Sequence, residues 1–105
     1  MELKALFEGD QFTTFHATIA AGDQIPRHMA TQDAYLVIVR GLARLKFDHS
    51  EVLLQQGSGT FIPPDFPHTL EVLENLEAYL FLAAGGAIEF LDKKQLSDIG
   101  LQSLS

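Results

Sequence analysis

Hydrophobic residues along the 105-residue chain come in short runs rich in β-branched and aromatic side chains, broken by Gly, Pro and Asp. That spacing predicts strands and turns rather than long helices. The runs place strands at Phe12–Ala20, Ala34–Val39, Leu42–Asp48, Glu51–Gln55, Thr60–Ile62, His68–Leu73, Ala78–Ala84 and Ala87–Leu91. Asp48-His49-Ser50 predicts a hairpin tip, and the single Gly41 between two strands predicts a tight turn. The unbroken apolar run Ala34–Val39 predicts burial on both faces, with Tyr35 in the core. Leu45 and Phe47 mark one inward face of the following strand. Asp92–Asp98 reads as a short C-terminal helix, with Asp92 as its cap and Gly100 as its stop. Its apolar residues, with Leu101 and Leu104, belong either to a frayed tail or to a segment docked on the body or on a second subunit. The expected architecture is all-β, as one domain over 1–105.

Composition narrows the function classes. The chain has no cysteine, which excludes disulfides and thiolate metal sites. Its formal net charge is -7, from 14 acidic and 7 scattered basic residues. Such a surface repels phosphate backbones and anionic lipid, so neither nucleic acid nor membrane is an expected partner. No basic start precedes an apolar stretch of signal-peptide type, and no apolar run is long enough to span a bilayer, so the expected location is cytoplasmic. No serine sits in a nucleophile-elbow context, and Gly57-Ser58-Gly59 enters a strand rather than opening a helix.

The candidate chemistry lies in two stretches. One runs from Gly22 through His28, Ala30, Gln32 and Ala34 to Gly41. The other runs from Gly57 through Pro63, Asp65 and Pro67 to His68. At these residues the chain resembles the cupin superfamily. The family's first motif is a glycine, five residues, His-any-His, three or four residues, a glutamate, six residues and a glycine. Its second is a glycine, five residues, a proline, one residue, a glycine, two residues, a histidine, three residues and an asparagine. Gly22, His28, Gly41, Gly57, Pro63 and His68 match in spacing and order. The resemblance implies an antiparallel double-stranded β-helix, a jelly-roll barrel, with His28 and His68 pointing into one cavity. It also implies a homodimer paired through sheet edges and exchanged terminal strands. The apolar residues Leu3, Leu6 and Phe7 near the start agree with that expectation.

The departures bear on the metal. Where the family has its second histidine and its glutamate, this chain has Ala30 and Ala34; Asp65 stands for the second glycine and Val72 for the asparagine. Only His28 and His68 remain of the four ligands the resemblance implies, and protein sites that hold an ion normally supply three or more. The expectation is no cofactor, or one weakly held Zn, Ni, Fe or Mn touching His28 and His68. Gln32 shares strand parity with His28 if the strand is unbroken, and amides replace the glutamate in some cupins. His16 could approach His28 from a neighbouring strand, although a partly buried, hydrogen-bonded strand histidine is its plainer reading. His28, His68, Gln32 and His16 are thus the candidate pocket residues. Three functions stay open: a small-molecule-binding barrel, a metal-dependent enzyme of dioxygenase or isomerase type with a rebuilt ligand set, and a non-catalytic structural or interaction barrel.

Overall fold

A computed structural model describes residues 1–91 of the chain. It contains eight strands: β1 (Glu2–Glu8), β2 (Phe12–Ile19), β3 (Gln24–Ala30), β4 (Ala34–Phe47), β5 (Glu51–Gln55), β6 (Gly59–Ile62), β7 (His68–Ala83) and β8 (Ile88–Phe90). All pair antiparallel in one curled sheet. The all-β expectation holds. The helix expected over Asp92–Asp98 lies outside the described residues. No helix among the described residues is long and apolar enough to cross a membrane.

The 16-residue β7 organises the sheet. One of its edges pairs with β4 along nearly the whole strand, from His68 opposite Phe47 to Leu82 opposite Ala34. Its other edge pairs first with β3 and then with β2. The β4–β7 register shifts between Ile38 and Ala43, and such bulges bend a strand and raise its twist. Both long strands therefore turn a corner there, and the sheet closes over its own apolar face.

Gly41 sits at that corner, which corrects the expected tight turn: Ala34–Val39 and Leu42–Asp48 are one continuous strand. The reason is steric. Gly41 has φ +103°, and a Cβ there would run into the main-chain oxygen of Asn75 and lie 2.9 Å from Leu76 Cα. Gly41 lets β7 pass close by; it does not reverse the chain. In the same way His68–Leu73 and Ala78–Ala84 are parts of the single β7. Glu51–Gln55 and the tip at Asp48-His49-Ser50 are as expected, with the Phe47 amide donating to Ser50 O at 2.8 Å.

The apolar run at the start of β4 alternates instead of being buried on both faces. Ala34, Leu36 and Ile38 point into the core, while Tyr35 and Val39 are 45% and 38% exposed. Burial follows the period-two geometry of the strand, and the outward residues simply happen to be apolar. The core is built from such inward positions: Ile38, Ala43, Leu45, Leu54 and Val72 are almost wholly excluded from water.

Two strands carry no period-two signal and were not expected. β1 is exposed along most of its length, so alternation has nothing to record. β3 contains Pro26 and Arg27 and pairs with β7 only irregularly. It nevertheless carries His28.

Candidate functional site

Inward residues of every strand but β5 surround a cavity of about 80 Å³. Its walls are apolar except where His28 and His68 stand. The two histidines face each other because His28 on β3 is the register partner of His68 on β7. The same row continues to Phe90 on β8 and to Phe47 on β4. Ring centroids are 4.2 Å apart for the histidine pair, 5.7 Å for His28 with Phe90 and 5.7 Å for His68 with Phe47. The imidazoles are thus packed edge to face in an aromatic row. Phe47 and Phe90 belong to the site through cross-strand pairing, which no local motif encodes.

Each imidazole is oriented by its own backbone. His28 Nδ1 donates to Pro26 O at 2.6 Å, and His68 Nδ1 donates to Phe66 O at 2.7 Å. A carbonyl oxygen only accepts, so both rings carry a proton on Nδ1. Burial pushes the His28 pKa down to about 4, with the neighbouring His68 adding to the shift and the Pro26 carbonyl opposing it. Burial also lowers the pKa of His68, opposed by the Phe66 carbonyl. At neutral pH both rings are therefore neutral, and each Nε2 presents a lone pair. Neither Nε2 has a protein partner among the described residues. No buried side-chain N or O there is sealed away without a partner, so both Nε2 atoms remain open to approach.

Ala30 and Ala34 also line this cavity, 5% and 4% exposed. At these positions a methyl group takes the place of a longer side chain and leaves space beside the imidazoles. Asp65, in the loop that leads to His68, has φ 61°, the only positive φ outside glycine among the described residues. Its amide donates to Ala30 O at 2.8 Å, tying the β6–β7 loop to β3 near the histidines.

The other two candidates do not join the site. Gln32 is exposed in a bend between β3 and β4; the strand is broken there, so parity with His28 does not carry across. His16 lies on the opposite face of β2 from the cavity-lining Ala17 and Ile19. Its Nε2 meets Glu77 Oε2 at 2.8 Å, and its ring lies 5.1 Å from that of Tyr79. Glu77 also pairs with Arg40, and these contacts hold its carboxyl below the usual range, Arg40 first. His16 is therefore the hydrogen-bonded strand histidine of the plainer reading. His49 is exposed at the hairpin tip, as expected. Glu71 lies within β7 on the outer face, with Lys46 at 2.7 Å and Arg44 at 3.2 Å.

The donor set does not fit a resident metal. No group of three or more His, Cys, Asp or Glu side chains suited to an ion exists among the described residues. The two imidazoles have the Nδ1-to-carbonyl anchoring common in metal-binding histidines, but the positions around them are apolar and offer no further donor.

Comparison with known proteins places this barrel. Residues 12–92 match the family model described as the AraC-like ligand binding domain. No curated protein matches the chain. Among solved structures, a conserved protein of unknown function from Streptococcus pyogenes is 23% identical, with a TM-score of 0.71 over 78% of this chain and 72% of that one. A cupin-like protein from Thermotoga maritima is 18% identical, with a TM-score of 0.78 over 85% and 74%. A DMSP lyase from Ruegeria pomeroyi is 19% identical, with a TM-score of 0.78 over 86% of this chain but 51% of that one. At these identities the structures establish a shared barrel fold.

Proposed function

The chain belongs to the family of AraC-like ligand-binding domains, within the cupin superfamily, and from that premise we propose that it binds a small, largely apolar molecule through one hydrogen-bond-donating group. The observation that carries this reading is the pair of neutral imidazoles, each locked by its backbone with Nε2 unprotonated, lining an otherwise apolar cavity. Two acceptors side by side in an apolar enclosure favour a hydroxyl, amine or amide N–H. They disfavour a carboxylate, which has no donor and would lose its hydration. The 80 Å³ volume is well below that of sites for drug-sized ligands, so the molecule has few heavy atoms or inserts only its tip.

This reading stands ahead of the metal-dependent enzyme because His28 and His68 have no third donor beside them among the described residues. Protein prepared without metal supplementation is expected to carry well under one equivalent of Zn, Ni, Fe or Mn by elemental analysis. A full equivalent, lost in His28→Ala, would move the metal-dependent reading to first place.

The binding reading is tested by titrating the protein with phenol and, separately, with fluorobenzene, which has similar size but no donor. The ¹⁵N resonances of both Nε2 atoms are followed by NMR. Phenol should shift at least one of the two, fluorobenzene should leave the nitrogen shifts nearly unchanged, and His68→Phe should weaken phenol binding about tenfold or more. Equal responses to the two probes, or none to either, would remove the basis for donor recognition.

A further inference from the structure

We propose that the group this cavity takes is an uncharged –NH2 on an apolar body, an arylamine being the simplest such molecule, with one N–H donated to His28 and the other to His68. The proposal rests on the ligand reading above and narrows it from any donor to a double donor. Each imidazole commits its Nδ1 proton to a carbonyl, His28 to Pro26 O and His68 to Phe66 O. Each Nε2 is left as an acceptor, without a protein partner among the described residues. The ring centroids are 4.2 Å apart, and both rings line the same cavity. Hydrogen bonds of about 3 Å let one nitrogen join acceptors up to roughly 6 Å apart. Two Nε2 atoms opening on one cavity from rings this close fall within that reach.

The number of donors then selects the group. A hydroxyl has one O–H. Bonded to one imidazole, it turns an oxygen lone pair toward the other and leaves that Nε2 unsatisfied in apolar surroundings. An –NH2 supplies both donors from a single atom. The kinds of –NH2 differ in what else they bring. An alkylamine is an ammonium ion at neutral pH, and no Asp or Glu lines the cavity to balance its charge. A primary carboxamide brings a carbonyl that needs a donor of its own. The only side-chain donors in the lining are the two Nδ1–H groups, and both are already engaged. An arylamine stays neutral because its lone pair is delocalised into the ring, and for the same reason it demands almost no hydrogen bond in return.

The remaining wall suits an arene. Every other lining residue is apolar, and Phe90 places its ring beside His28 with 5.7 Å between centroids. Aromatic rings pack favourably on one another at such distances. Ala30 and Ala34 present only methyl groups and leave room next to the imidazoles. At about 80 Å³ the cavity is smaller than the roughly 150 Å³ that encloses a benzene ring, so it holds the amino edge of the ring rather than the whole ligand. Met1, 41% exposed, also lines it, so the cavity reaches toward the surface beside β1 and gives the rest of the ligand a way out.

Aniline, phenol and fluorobenzene are close in size and offer two, one and no donors. Each is titrated into the full chain at neutral pH, with the Nε2 resonances followed and Kd read from the same titration. Aniline should shift both Nε2 resonances and bind about tenfold tighter than phenol. In His28→Phe, and separately in His68→Phe, the surviving imidazole serves either probe with a single bond, so the preference for aniline should vanish. Circular dichroism confirms that each variant folds; where one does not, the aniline-to-phenol ratio on the native chain decides by itself. Phenol that shifts an Nε2 resonance and binds as tightly as aniline would overturn the double donor while leaving donor recognition standing. A preference for aniline that persists in both variants would overturn it too. No response to either probe would remove the ligand reading, and this proposal with it.

Discussion

The two histidines owe their chemistry to three local facts: burial, mutual proximity and a carbonyl two residues back. Burial, aided at His28 by the neighbouring His68 and opposed by the carbonyls, makes the fold sensitive to acid. In the unfolded chain His28 titrates near 6.5, and in the fold near 4. Between those values the unfolded state binds more protons, so stability is full above about pH 6.5 and falls as pH drops toward 4. For His28 alone the loss is about 3 kcal/mol, with the lowered pKa of His68 acting in the same direction. Urea denaturation at pH 7.5 and at pH 4.5 should show a marked drop in midpoint, and His28→Phe should flatten that dependence. A second residue-scale expectation concerns Asp65. At φ 61° an aspartate is tolerated in the left-handed region where most L-residues are strained. Asp65→Ala should cost about 1 kcal/mol in chemical denaturation, whereas Asp65→Gly should be neutral or stabilising.

At the scale of elements, the decisive feature is the shared corner of β4 and β7. Without it the two long strands would form a flat ribbon, and neither the β3 nor the β2 segment of β7 could face the same interior. Gly41→Ala adds a side chain where both φ and the Asn75–Leu76 backbone forbid one. The expected cost is about 2 to 5 kcal/mol, summing left-handed strain and overpacking. That is a large part of the total stability of a domain this size. A denaturation midpoint within experimental error of the native value would show that the corner tolerates a Cβ. The β3–β7 pairing places His28 beside His68, and the β6–β7 loop sets the approach to His68 through Pro63, Pro64 and Pro67.

The whole molecule separates two faces of the same strands. Inward residues on β2, β7 and β4 build the core and the cavity; outward residues of the same strands, Phe81 and Tyr35 among them, face water.

Much of the fold was legible in the sequence because a barrel strand must alternate and its turns must use particular residues. The strands β2, β5 and β6, the hairpin tip at residues 48–50, and the spacing of Gly22, Gly57, Pro63 and His68 were all readable in this way. The assignment of His28 and His68 to one interior was implied by the resemblance to the cupin motifs, and both line the cavity. Other features depend on pairs of residues far apart in the chain, so local pattern could not reveal them. Gly41 looks like a turn until β7 is laid across it, and Tyr35 looks buried until the strand's two faces are separated. Gln32 looks aligned with His28 until the chain bends between them. Phe47 and Phe90 become neighbours of the histidines only when β4 and β8 pair into the row. Local residue types and spacing determined which strands and loops form; long-range register decided which side chains meet, because contact across a sheet depends on pairing and not on distance along the chain.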